Sequence, residues 1–157
     1  MPKSEEKSID YLLAQGKTKR QVFDLLSEEF SQDSLLFHLN NVPMPRQRRK
    51  FRFFNFSLMV LLSYITLKKL IIAYLFKDYA IIMLSSLVVP IINLYLLREI
   101  WKFHKIGYQF LAPLSLLALV YSENRVMPDL AIYLLISALS AFLYFKLFPK
   151  QEQVKLP

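Results

Sequence analysis

The sequence contains no cysteine. Disulfides, thiolate zinc sites, iron–sulfur clusters and thiol catalysis are thereby excluded. Glycine occurs only twice, at Gly16 and Gly107. The run Gly16–Lys17–Thr18 has the end of a phosphate-binding loop but lacks the upstream glycine and strand that such a loop needs, so it is discarded. The only histidines are His38 and His104. Two histidines far apart, with no carboxylate pair nearby, do not make a metal site. Glu99 and His104 are five residues apart, off the spacing of three or four that shares a helix face. Neither catalytic nor metal-binding residues are expected, nor a cofactor, and the chain reads as non-enzymatic.

What the chain has in quantity is apolar sequence. Hydrophobic residues make up 55 % of its 157 positions. Charge is segregated: residues 1–52 hold ten Lys or Arg and seven Asp or Glu, and the other 105 residues hold only fifteen charged side chains. Clustered charge between long apolar runs is the pattern of membrane spans and loops. The net charge of +8 is better explained by basic flanks of spans than by a nucleic-acid partner, and none is expected. The first apolar run of spanning length begins near Phe53, so the first span, rather than a cleavable leader, is expected to direct insertion.

The expected fold class is an all-α integral membrane protein, with four transmembrane helices behind a small cytoplasmic helical head. The head covers residues 1–42. In it, Ser8 can cap a helix through Ala14 that Gly16 terminates. Thr18 caps a second helix, with Gln21 at the capping-box position. Lys19 and Arg20 stand early in that helix and Glu28 and Glu29 late, the unfavourable sense for the helix dipole. A third helix runs from Asp33 to Leu39. Leu35, Leu36 and Leu39 can close a small core with Leu12, Leu13, Phe23 and Leu26. So small a core leans on a membrane or a partner, and Val22, Phe23, Leu26 and Phe30 are the candidate partner-binding face.

Residues 43–52 are expected to be a proline hinge and a basic juxtamembrane segment. Arg46, Arg48, Arg49, Lys50 and Arg52 are candidate contacts to anionic lipid headgroups, worth about 1 kcal/mol per charge near the surface. Residues 53–149 form the bundle, with spans at about 53–76, 79–97, 105–121 and 129–148, and residues 150–157 form a cytoplasmic tail. The third span is short for the roughly twenty residues that a 30 Å hydrocarbon layer requires. The head, Arg98, Lys102 and Lys105 in the loop, and Lys146, Lys150 and Lys155 at the end place sixteen basic residues on one side. Lys68, Lys69, Lys77 and Arg125 place four on the other. Both termini are therefore expected in the cytoplasm. Low glycine with abundant Ile, Lys, Phe and Tyr suits a bacterial source and its inner membrane. Aromatics near span ends, among them Tyr74, Tyr79, Tyr95, Trp101, Tyr108, Tyr121 and Tyr144, are expected as interface anchors.

Within the spans the candidate polar or kink positions are Lys68, Lys69, Pro90, Asn93 and Pro113. The favoured reading ends the first span near Leu67, leaving Lys68 and Lys69 among headgroups. Pro90 and Pro113 would free the carbonyls of Ser86 and Gln109. Asn55 and Asn93 are expected to pair across the first two spans. Ser137, Ala138, Ser140 and Ala141 mark a close helix contact. Glu123, Asn124, Arg125 and Asp129 read as a solvated turn. The expected function is that of an accessory subunit whose head binds a protein partner or which forms a homo-oligomer. The alternative is a small oligomeric transporter or pore resting on the lysines, prolines and Asn93.

Overall fold

A computed structural model describes residues 5–154. The first four and last three residues, including Lys155 of the charge count, lie outside it. Every regular element among the described residues is helical. Three short helices, α1 (Glu5–Ala14), α2 (Lys19–Leu26) and α3 (Gln32–Asn41), form the head. Four longer ones follow: α4 (Pro45–Leu75), α5 (Ala80–Trp101), α6 (Lys105–Leu117) and α7 (Asp129–Leu147). Of these, α4, α5 and α7 are long and apolar enough to cross a membrane, whereas α6 is a shorter apolar helix.

Local chemistry sets the head's turns. Gly16 takes φ +87, the left-handed geometry that closes a helix without a Cβ clash. Its N–H donates to Leu13 O at 3.0 Å. The Thr18 hydroxyl accepts from Gln21 N–H, and Thr18 N–H donates to Gln21 Oε1 at 2.9 Å, the reciprocal capping box. Helix α1 starts earlier than Ser8 would place it, so Ser8 lies within the first turns. The head's core holds Ile9, Leu13, Val22, Leu26, Leu35, Leu39 and Val42, flanked by Leu12, Phe23 and Phe30. Val22 and Leu26 are thus spent on the head's own interior. That corrects the expectation that they face a partner: three helices this short need the whole apolar face of α2 to bury anything at all.

The proline segment is not a loose hinge. Asn41, Val42 and Pro43 are buried, and Pro45 occupies the first turn of α4, where its missing N–H is harmless. The basic stretch 46–52 is therefore the opening of one continuous rod. That rod also runs past Leu67 to Leu75, so the stretch that follows Lys68 and Lys69 is helical and continuous with the first apolar segment.

In the bundle, α4 packs on α5 and α7, α6 on α7, and α5 on α6. The buried positions Phe51, Asn55, Leu58, Leu62, Ile65 and Thr66 of α4 recur at three and four residues, the stripe of a packed helix. Asn55 does not pair with Asn93. Its amide donates to Ile100 O at 3.2 Å, and its Oδ1 accepts from the Tyr108 hydroxyl at 2.6 Å. Tyr108 is fully buried rather than an interface anchor. Ser140 of α7 then donates to Tyr108 O at 3.0 Å, and Ser137 to Ala112 O at 3.0 Å. The small side chains of α7 therefore mark its contact with α6, with Ala138 turned outward. Gly107 lets α5 approach α6, since an added Cβ would lie 3.0 Å from Glu99 Cβ. Both α5 and α6 continue through Pro90 and Pro113.

Tyr108→Phe leaves the buried Asn55 oxygen without its donor. It should destabilise the protein by about 1 kcal/mol in detergent unfolding, and Asn93→Leu should leave unfolding within about 0.5 kcal/mol of wild type.

Candidate functional site

Two polar regions stand at opposite ends of the bundle. At the end reached by Leu75, the first lysine pair meets the loop before α7. Lys68 Nζ pairs with Asp129, and Lys69 Nζ lies 2.5 Å from Glu123 Oε1 and 3.2 Å from Asn124 Oδ1. Asn124 and Asp129 are buried, which corrects the solvated turn at those two positions, while Glu123 and Arg125 stay exposed. Asn124 also donates to Ala118 O at 2.7 Å, and Arg125 closes the carbonyls of Leu119 and Val120. The carbonyls of the turn that follows α6 are thereby given side-chain donors.

Beneath this loop a cavity of about 490 Å³ lies between α4, α5 and α6. Its walls include Leu62, Ile65, Ile72, Val89, Ile92 and Leu111, and its polar groups include the Lys69–Glu123 pair, Ser85, Ser86, Asn93 and Asn124. Ile82, Val89, Ile92 and Leu117 line it and are also exposed, so it opens as a lateral cleft beside α5. The apolar window of α5 is 11 % buried, against 28 % in α4 and 33 % in α7. Apart from Pro90, α5 is buried only toward its end, at Leu96, Glu99 and Ile100. Ser85 and Ser86 donate back to Ile82 O and Met83 O, which leaves their lone pairs facing outward. The side-chain amide of Asn93 makes no hydrogen bond to another described residue. Of the candidate intramembrane positions, the cleft brings together Lys69 and Asn93; Pro90 is buried on α5, and Pro113 is exposed on α6.

At the opposite end, polar contacts fasten the head. Arg48 Nη2 meets Asp10 Oδ1 at 2.8 Å, and Lys102 Nζ meets Glu6 Oε1 at 3.0 Å. Asn41 Oδ1 accepts from Ile106 N–H at 3.1 Å, and Asn40 exchanges two bonds with the backbone of Val154. The Lys102 ammonium holds the Glu6 carboxyl below the usual range. Of the candidate lipid contacts, Arg48 is turned into this joint, while Arg46, Arg49, Lys50 and Arg52 stay exposed.

Helical spacing dismissed Glu99 and His104 as a pair, yet they touch: His104 Nδ1 is 2.7 Å from Glu99 Oε2. Phe103 takes φ 59. His104 N–H then bonds Glu99 O and Phe103 N–H bonds Ile100 O, which folds the chain back over the end of α5. Nε2 of the same ring lies 3.2 Å from Glu6 Oε1. The two carboxylates sit on opposite ring nitrogens and do not converge on one point. No group of three or more His, Asp or Glu able to hold a metal ion occurs among the described residues.

No family model, no curated protein and no solved structure matches the chain.

Two changes separate the buried contact from the exposed one. Asp129→Asn should lower unfolding stability by about 1–3 kcal/mol, because it removes the buried negative charge that faces the Lys68 ammonium. Glu123→Gln, at the exposed ion pair, should change it by less than about 1 kcal/mol.

Proposed function

We propose that this chain is a non-enzymatic, multi-pass membrane accessory subunit that receives a transmembrane helix of a partner protein in the cleft beside α5. The observation that carries this reading is the cleft itself. It sets Ser85, Ser86 and Asn93 of α5, the least covered long helix, and Ser115 of α6 among mostly apolar walls. In hydrocarbon, small and hydroxyl-bearing side chains hold helices together through close approach and interhelical hydrogen bonds, and acyl chains offer no such partners. The partner surface accordingly moves from the α2 face to the bundle.

In this reading α6 and the turn at 118–120 are the fourth crossing. The helix starts beside Asn41 and Asn55, and the chain beyond it reaches Lys69. The fourteen residues from Asn55 to Lys69 rise about 21 Å, a distance that α6 must also cover. The sixteen-to-four division of basic residues supports placing both termini in the cytoplasm, and a bacterial inner membrane suits the composition. Exposed Arg46, Arg49, Lys50 and Arg52 would then meet anionic headgroups. A transporter or pore is less well supported: Lys68 and Lys69 are matched by acids, and the walls of the cleft are mostly apolar.

A photo-crosslinking residue at Val89, in the cleft, should capture one protein adduct of defined mass in native membranes. The same residue at Phe145, on the far helix, should capture lipid. Lipid adducts alone at Val89 would overturn the reading. Because the chain has no cysteine, Glu28→Cys and Lys77→Cys can be labelled cleanly, and they should react from opposite compartments.

A further inference from the structure

We infer that the junction of the head, α4 and the segment after α7 is a binding site for a phosphoryl anion, recognised by the Lys19 ammonium and the N-terminus of α2.

The amides of Thr18 and Gln21 are used by the capping box, and those of Lys19 and Arg20 have no acceptor among the described residues. These free amides carry the positive end of the helix dipole. Acidic side chains are favoured at such a place, yet two basic ones follow the cap. A locally wrong choice of this kind is the mark of a site that expects an anion.

Lys19 supplies the second, independent observation. Only 6 % of it is exposed, and it forms no ion pair or hydrogen bond with any described residue. It lines a cavity of about 550 Å³ together with Thr18, Arg20, Met44, Gln151 and Gln153. Glu152 is the acid in that lining. One of its oxygens takes Gln47 Nε2 at 3.0 Å, and the other has no partner. Arg48 and Lys105 add positive field from the bundle side. Burial, resisted by Glu152, pushes the lysine down to about 8, so the side chain holds its charge at a cost. A tetrahedral oxyanion with several acceptor oxygens can take two amides and an ammonium together. A second cavity lined by Arg46, Lys50 and Lys146 shares Met44 and Glu152 with the first. The phosphoryl group can therefore belong to a lipid headgroup or to a soluble molecule.

The test measures Tm in two arms. In neutral detergent, inorganic phosphate replaces chloride at constant ionic strength. In nanodiscs, phosphatidylcholine alone is compared with phosphatidylcholine containing phosphatidic acid. The expected rise is about 3 °C at ten times Kd, and the arm that shows it names the source. Lys19→Met should abolish the rise while leaving the unliganded protein at least as stable as wild type. Arg20→Gln, at an exposed position, should weaken the rise, and Lys77→Met should leave it intact. No rise in either arm overturns the inference, as does a Lys19→Met or Arg20→Gln variant that responds like wild type. Without ligand, stability should climb from about pH 8 toward pH 10.5, where the unfolded chain still holds the Lys19 proton and the folded chain has shed it. Saturating phosphate, or phosphatidic acid, should flatten that climb.

Discussion

One chain of hydrogen bonds ties the four bundle helices together. Asn55 of α4 donates to the Ile100 carbonyl of α5 and accepts from Tyr108 of α6, whose own carbonyl accepts from Ser140 of α7. Apolar helices gain little by meeting one another in lipid, because acyl tails are as apolar as leucine. Shape and a few polar contacts must choose their register. This set does so at the end where the head sits, and the Lys68, Lys69 and Asn124 contacts do so at the other. Between these ends α5 is anchored mainly by its last two turns, which is why the cleft opens beside its earlier residues.

The head depends on the same end of the bundle. Its core of seven buried apolar residues is small for a freestanding fold. Arg48, Lys102 and Ile106 from the bundle side complete it through Asp10, Glu6 and Asn41. Because Pro45 opens α4, the basic residues from Arg46 to Arg52 are carried on the helix itself.

Several residues break local rules, and they gather at this end. Phe103 holds a left-handed backbone that costs roughly 1 kcal/mol or more for a side chain of its size. It packs against the bundle core and lets His104 reach both Glu99 and Glu6. Lys19 is buried with no partner among the described residues, and the exposed Arg20 beside it sets a second cation where the helix dipole favours an acid. Rules are obeyed where nothing but folding is at stake, as at Gly16.

The features legible in the sequence were those set by near neighbours in the chain. Apolar runs of spanning length, the Thr18–Gln21 box and the glycine stop at Gly16 each follow from residues within a turn or two. The close contact signalled by Ser137 and Ser140 was legible for the same reason, since small residues at that spacing share a helix face. Tertiary structure alone decided the partners of Asn55, Lys68, Lys69, Tyr108 and Glu99, and the inward turn of Val22 and Leu26. These depend on helix rotation and register, which bring together groups 45 to 61 residues apart, and on one left-handed residue that reverses the chain. A side chain's chemistry states what it needs; only the packed helices determine which group is close enough to supply it.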